Sequence, residues 1–138
     1  MDYRSFASGA TSFVQNRTIL VVEDDDDMRK HVMNLLSERK MHVIEAIDLA
    51  TAIASLDEHR KHISVVLIDI ELPDGLGIDL LRACRERKMP CGVIIMTGHG
   101  TMEHAIAALK HGAADFLTKP FATRDLDEAL RRALRQSM

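Results

Sequence analysis

The stretch Val65-Val66-Leu67-Ile68-Asp69-Ile70-Glu71-Leu72-Pro73-Asp74-Gly75 decides how the chain is read. Its four opening residues, two valines, a leucine and an isoleucine, describe a strand buried on both faces. A carboxylate directly after such a run has a place only where the strand leaves the sheet. Pro73, Gly75 and Gly77 then supply a turn-rich loop before apolar periodicity resumes. In an open α/β sheet, ligands bind in the crevice beyond the carboxyl ends of the strands. Asp69 is therefore expected at the mouth of a site.

Working outward, the same kind of run recurs on both sides. Thr18-Ile19-Leu20-Val21-Val22, Val43-Ile44, Val93-Ile94-Ile95-Met96 and Asp115-Phe116-Leu117-Thr118 read as four further strands. Five helical stripes fall between and after them. They run through Met28, Val32, Leu35 and Leu36; Leu49, Ala52, Ile53 and Leu56; Leu80, Leu81 and Cys84; Ala105, Ile106 and Leu109; and Leu126, Ala129, Leu130, Ala133 and Leu134. Asp48 and Thr101 suit N-caps, and Gly112 the left-handed residue that follows a helix. Strands alternating with helices, with no two-residue hairpin between them, argue an α/β fold. The expected form is a doubly wound, five-stranded parallel sheet of order 2-1-3-4-5 with helices on both faces. Residues 1–16, rich in Ser, Ala, Gly and Thr, show no period and read as a flexible N-terminal extension. Residues 17–138 form the expected domain.

Composition narrows the classes. A chain of 138 residues, 46% apolar and 28% charged, suits one domain with a sizeable core. Its net charge of −3 gives no bulk attraction to nucleic acid. No apolar run approaches the roughly 20 residues of a membrane span, and no basic-then-apolar leader opens the chain. Cys84 and Cys91 read as inert, buried thiols, so a reducing, cytoplasmic location is expected. The seven histidines lack the partners of a zinc site. No helix-turn-helix follows the fifth helix, so neither direct nucleic-acid binding nor membrane contact is expected of this chain.

The chemistry lies in the residues that leave the strands. Glu23 and Asp24 follow the first strand, Asp69 the third, Thr97 the fourth and Lys119 the fifth. In the 2-1-3-4-5 order these strands are neighbours, so the side chains converge. The acidic run Glu23 to Asp27 alone would be a solvated turn favouring a helix N-terminus. Three carboxylates in one pocket repel, however, and burial raises their pKa values. Mg²⁺, a hard cation taking oxygen ligands, relieves that repulsion. Lys119 and Thr97 complete a cradle for a phosphoryl group, with Asp69 as oxygen nucleophile.

The acidic pair after Ile19-Leu20-Val21-Val22, Asp69 with Pro73 and Gly77 downstream, Ile95-Met96-Thr97-Gly98 and Phe116-Leu117-Thr118-Lys119-Pro120-Phe121 together carry a resemblance. From Arg17 to about Gln136 the chain resembles the response-regulator receiver domain of bacterial two-component signalling. The resemblance implies that Asp69 accepts phosphoryl from a sensor histidine kinase or phosphotransfer protein. It implies that Asp24, Asp69 and the backbone carbonyl of Glu71 hold Mg²⁺, with Glu23 acting directly or through water. The length of the acidic run leaves open a shift of the metal pair by one, to include Asp25. Thr97 and Lys119 are implied to contact phosphoryl oxygens, and the Lys119–Pro120 bond to be cis.

Phe116 matches the family's switch aromatic, coupled to Thr97 and to the face formed by the fourth helix, fifth strand and fifth helix. Through that face receivers bind partners or pair as homodimers. Glu71 and His99 border the phosphoryl position and are expected to set its lifetime. Such a domain is a signalling module and not a turnover enzyme. It works as a stand-alone regulator or as the receiver part of a longer transcription regulator. The alternative is a small phosphatase of the haloacid-dehalogenase type, which uses similar residues. Its nucleophile belongs to the first strand with the metal acids last, the reverse of this order.

Overall fold

Strand side chains alternate with period two, so each buried strand must feed two cores. The computed structural model describes residues 12–98 and 102–136. Its main sheet holds β1 (Thr18–Val22), β2 (His42–Ala46), β3 (Ile63–Asp69), β4 (Gly92–Thr97) and β5 (Asp115–Thr118). All neighbours are parallel and the order is β2-β1-β3-β4-β5, the expected 2-1-3-4-5. Leu20, Val22, Val66, Ile68, Val93 and Ile95 serve one face. Ile19, Val21, Val65, Leu67, Ile94 and Met96 serve the other.

Two helices, α1 (Asp26–Ser37) and α5 (Thr123–Gln136), cover the second face. Three more, α2 (Leu49–Glu58), α3 (Gly77–Glu86) and α4 (Met102–Lys110), cover the first. Asp48 caps α2 by accepting from the Thr51 amide at 2.8 Å, and the Thr51 hydroxyl lies 3.3 Å from the Asp48 amide. Gly112 takes φ 101° after α4, the left-handed conformation expected of it. Arg39, 4% exposed, pairs with Asp127 at 2.6 Å and ties the end of α1 to α5. Among the described residues no helix is long and apolar enough to cross a membrane.

Three local expectations change. Of the expected stripe Ala105, Ile106 and Leu109, Ala105 is buried, but Ile106 and Leu109 are 46% and 38% exposed, and Ala108 joins Ala105 against the sheet. Small residues let α4 lie close to the strands, which turns the larger apolar side chains outward. The loop after β3 is also not irregular: Glu71–Leu72 and Gly75–Leu76 pair as a minimal antiparallel ribbon. Finally, the segment read as a flexible extension through residue 16 is docked over its last part. Ser12–Val14 forms a 3-10 turn and Val14 is fully buried in the α1–α5 core. Phe13 stacks under Arg131 of α5, with the guanidinium 4.9 Å from the ring centroid. Arg132, also on the exposed side of α5, pairs with Asp115 at 2.7 Å. The expected Thr101 cap lies outside the described residues.

Val14→Ala is expected to lower the unfolding free energy by about 1–2 kcal/mol in urea titrations, through lost burial and a residual cavity. Gln15→Ala, at an exposed neighbour, should stay within about 0.5 kcal/mol of wild type.

Candidate functional site

Because all five strands run parallel, their carboxyl ends open on one edge of the sheet. Asp69 closes β3 and Thr97 closes β4, while Glu23 and Asp24 follow β1 and Lys119 follows β5. One oxygen from each of Glu23, Asp24 and Asp69 lies within 4.8 Å of the other two. Lys119 Nζ ion-pairs with Glu23 Oε1 and, at 2.8 Å, with Asp69 Oδ2. The Glu23 side chain is buried, that of Asp69 is 14% exposed, and Asp24 is open to solvent. The group therefore runs from a dry end at Glu23 to a wet rim at Asp24.

This gradient sets the protonation of the site. Burial pushes the Glu23 carboxyl up to about 7; Lys119 pulls it down, and the adjacent Asp69 carboxylate adds to the rise. For the Lys119 ammonium, burial acts downward, but Asp69 and Glu23 outweigh it and the net shift is upward.

Local chemistry fixes each participant. Asp25 is committed to the helix cap, its Oδ1 accepting from the Met28 amide at 2.8 Å. The three acids that cluster are thus the pair abutting β1 plus Asp69. Arg29 Nη1 donates to the Glu23 carbonyl at 2.9 Å, and its Nε donates to Glu45 Oε1 at 3.0 Å, which clamps the turn after β1. The Lys119 amide donates to the Thr97 carbonyl at 2.8 Å, and the Lys119–Pro120 peptide is cis. Thr97 is 1% exposed, and its hydroxyl donates to the Gly98 carbonyl at 3.3 Å.

The Glu71 amide donates to Asp69 Oδ1 at 3.1 Å, while its own side chain is exposed and stands apart from the three clustered acids. Gly77 returns the loop to β3, its amide donating to the Ile70 carbonyl at 2.8 Å. A Cβ there would stand 2.8 Å from the Asp69 carbonyl oxygen, so only glycine allows this approach.

Phe116 pairs in register with Ile95, and Thr97 with Thr118, so the ring lies diagonally across from Thr97. It is partly buried against the core under α2, α3 and α4. His99 lies outside the described residues. Sequence reasoning missed Arg29, whose contacts to Glu23 and Glu45 depend on strand neighbours, and Asp74, which appeared to be only a turn residue.

The raised Glu23 carboxyl carries a signed consequence for the metal-free protein. Its folded value near 7 exceeds the ordinary 4.5, so the folded state holds the extra proton. That contribution is fully present below about pH 4.5 and is lost as pH rises through about 7. Asp57 and Asp74, shifted downward by Arg87 and by backbone amides, act below this window. Chelator-treated protein should lose on the order of 2–3 kcal/mol of stability across it, read by urea unfolding at stepped pH. Glu23→Gln should flatten that slope.

Comparison with known proteins bears on the same residues. The family model described as the response regulator receiver domain matches residues 19–131. The photosynthetic apparatus regulatory protein RegA of Cereibacter sphaeroides is 32% identical over 115 residues, 83% of this chain. The chain spans only 61% of that relative's length. A response regulator receiver domain protein from Clostridium thermocellum superposes with a TM-score of 0.82 at 32% identity, covering 87% of this chain and 95% of the other. The beryllofluoride-activated NtrC4 receiver domain dimer superposes with a TM-score of 0.79 at 29% identity, covering 88% and 98%. Fold and family match thus coincide over most of the described residues, and the chain belongs to the response-regulator receiver domains of two-component systems.

Proposed function

We propose that Asp69 accepts a phosphoryl group from the phosphohistidine of a sensor histidine kinase or phosphotransfer protein, with Mg²⁺ as cofactor. The observation that carries this reading is the Asp69 carboxylate, paired to Lys119 at 2.8 Å within a three-acid cluster spanning 4.8 Å. The donor set fits a hard cation, since it consists of oxygens alone. Glu23, Asp24, Asp69 and the backbone carbonyl of Glu71 would hold it. When bound, Mg²⁺ supplies positive charge between the acids and the incoming phosphoryl oxygens.

The chain's own groups then do the following. An Asp69 carboxylate oxygen attacks phosphorus as the P–N bond to the donor imidazole breaks, and the electron pair leaves with that ring. Lys119 gives up part of its pairing with Asp69 Oδ2 to meet a phosphoryl oxygen. Thr97 turns its hydroxyl from the Gly98 carbonyl toward another. Hydrolysis later returns the free carboxylate, at a rate set by Glu71 and His99. Beside the site, Met28, His31, Pro120 and Phe121 line an apolar hollow of about 260 Å³ that offers a donor protein a seat.

The Thr97 movement opens space diagonal to Phe116, whose inward shift repacks the face of α4, β5 and α5. Driving such a switch from mostly off to mostly on takes roughly 5 kcal/mol of differential stabilisation. Met102, Ile106 and Leu109 stand exposed along α4, an apolar stripe suited to pairing with a second copy. The NtrC4 receiver, which shares the fold, is described as a dimer when activated by beryllofluoride. We read the chain as a cytoplasmic signalling domain, whether stand-alone or part of a longer transcription regulator. The small-phosphatase alternative finds no support in the matched family.

With Mg²⁺ and a small phosphodonor, wild type should gain one phosphoryl group slowly, located at Asp69 by mass spectrometry. Asp69→Asn should gain none. Lys119→Ala should slow the reaction by at least about tenfold, having lost a charge aimed at the transferring oxygens. Rapid multiple-turnover hydrolysis of a phosphomonoester would contradict the reading.

A further inference from the structure

The ribbon after β3 has only two rungs, Glu71 with Leu76 and Leu72 with Gly75. A hairpin that short is marginal in isolation, so something outside it must hold its tip. The tip carries Pro73 and Asp74, and the Asp74 carboxylate reaches away from the ribbon altogether. Its Oδ1 accepts from the Leu49 amide at 2.7 Å and its Oδ2 from the Ala50 amide at 2.9 Å. These are the first two amides of α2, which have no partner inside their own helix. Those bonds hold the Asp74 carboxyl below the usual carboxylate range, as expected for an acid at a helix N-terminus.

The anchor point is itself fixed without help from Asp74. Thr51 and Asp48 close their own cap, with the Thr51 amide 2.8 Å from Asp48 Oδ1. Ala52 and Leu56 are fully buried, and Asp57 near the far end of α2 pairs with Arg87 at 2.7 Å. Gly75, next to Asp74, presses on the same helix so closely that a Cβ would stand 2.7 Å from Leu49 Cδ2. The root of the ribbon is held separately, by the Gly77 amide on the Ile70 carbonyl and by the Glu71 amide on Asp69 Oδ1. Between root and tip lies the Glu71 backbone.

We propose that Asp74 is a positioning residue for the chemistry at Asp69: it moors the ribbon tip to α2 and so holds the Glu71 backbone in place against Asp69. This rests on the phosphoryl-acceptor reading. Asp74 touches none of the clustered acids, so its effect travels through the ribbon. The ribbon is short enough that a shift at Asp74 is felt three residues back at Glu71. An outer group that orients a ligand-bearing segment is worth about 10- to 100-fold in metal affinity or activity when removed.

The test compares Asp74→Ala and Asp74→Asn with Val14→Ala, which destabilises the core on the opposite face of the sheet and leaves α2 and the ribbon untouched. Mg²⁺ affinity is measured by calorimetry, and the rate of Asp69 modification by acetyl phosphate is followed on the same full chain. Asp74→Ala should weaken Mg²⁺ binding and slow modification about tenfold. Asp74→Asn, which keeps one acceptor oxygen, should fall between it and wild type. Val14→Ala should match wild type in both measurements even where its unfolding midpoint drops as far. Equal effects of the two alanine variants, or wild-type behaviour of Asp74→Ala, overturn the positioning role. Failure of wild type itself to bind Mg²⁺ and take phosphoryl overturns the acceptor reading and this proposal with it, before any variant is compared.

Discussion

Lys119 stands between Glu23 and Asp69, one ammonium among three clustered carboxylates, and that imbalance governs the site. A single lysine cannot neutralise three acids, so the remaining charge must be relieved some other way. In the metal-free protein Glu23 supplies the relief by holding its proton up to about pH 7. On the proposed function a divalent cation would supply it more completely, and a phosphoryl group would then compete for Lys119. The charged groups leave three strands, Glu23 and Asp24 from β1, Asp69 from β3 and Lys119 from β5, so the sheet must hold their positions against mutual repulsion. It can do so because β3 and β4 are almost wholly buried between two close-packed cores.

The braces around the sheet are unevenly distributed. On one side α1 and α5 are locked by Arg39–Asp127, by buried Val14 and by Phe13 under Arg131. On the other, α2 is pinned at its start by Asp74 and near its end by Asp57–Arg87. The fourth helix has smaller anchors: it buries only the alanines Ala105 and Ala108, where α2 buries Ala52 and Leu56 and α1 Val32 and Leu36, and its Ile106 and Leu109 face out. Few buried apolar contacts place an element at the low-stability end of a fold, where movement costs least. A rearrangement that starts at Asp69 and passes Thr97 therefore meets least resistance at α4 and β5, beside Phe116.

Much of this was legible before any coordinates. β1 and β5 occupy the residues their apolar runs marked, and the strand order followed from alternation with helices. The converging residues were visible because parallel strands deliver all their ends to one edge. What stayed hidden has a common physical cause, contact between segments distant in sequence. Asp74 has the composition of a turn and the function of a cap for a helix 24 residues earlier in the chain. Val14 and Phe13 lie in a stretch with no period, since a three-residue turn has room for none. The outward placement of Ile106 and Leu109 escaped the helical pattern because hydrophobicity alone does not reveal that alanines permit the closer contact.

The central claim is that charge at Asp69 is relayed to the α4–β5 face while the α2–α3 side holds still. Backbone amide spectra recorded with Mg²⁺, with and without beryllofluoride, test it directly. The account predicts changes at Glu23, Asp24, Asp69, Thr97 and Lys119 together with displaced resonances through α4 and Phe116, and little change within α2 and α3. Changes confined to the strand ends, or spread as strongly through α2 and α3, would contradict it.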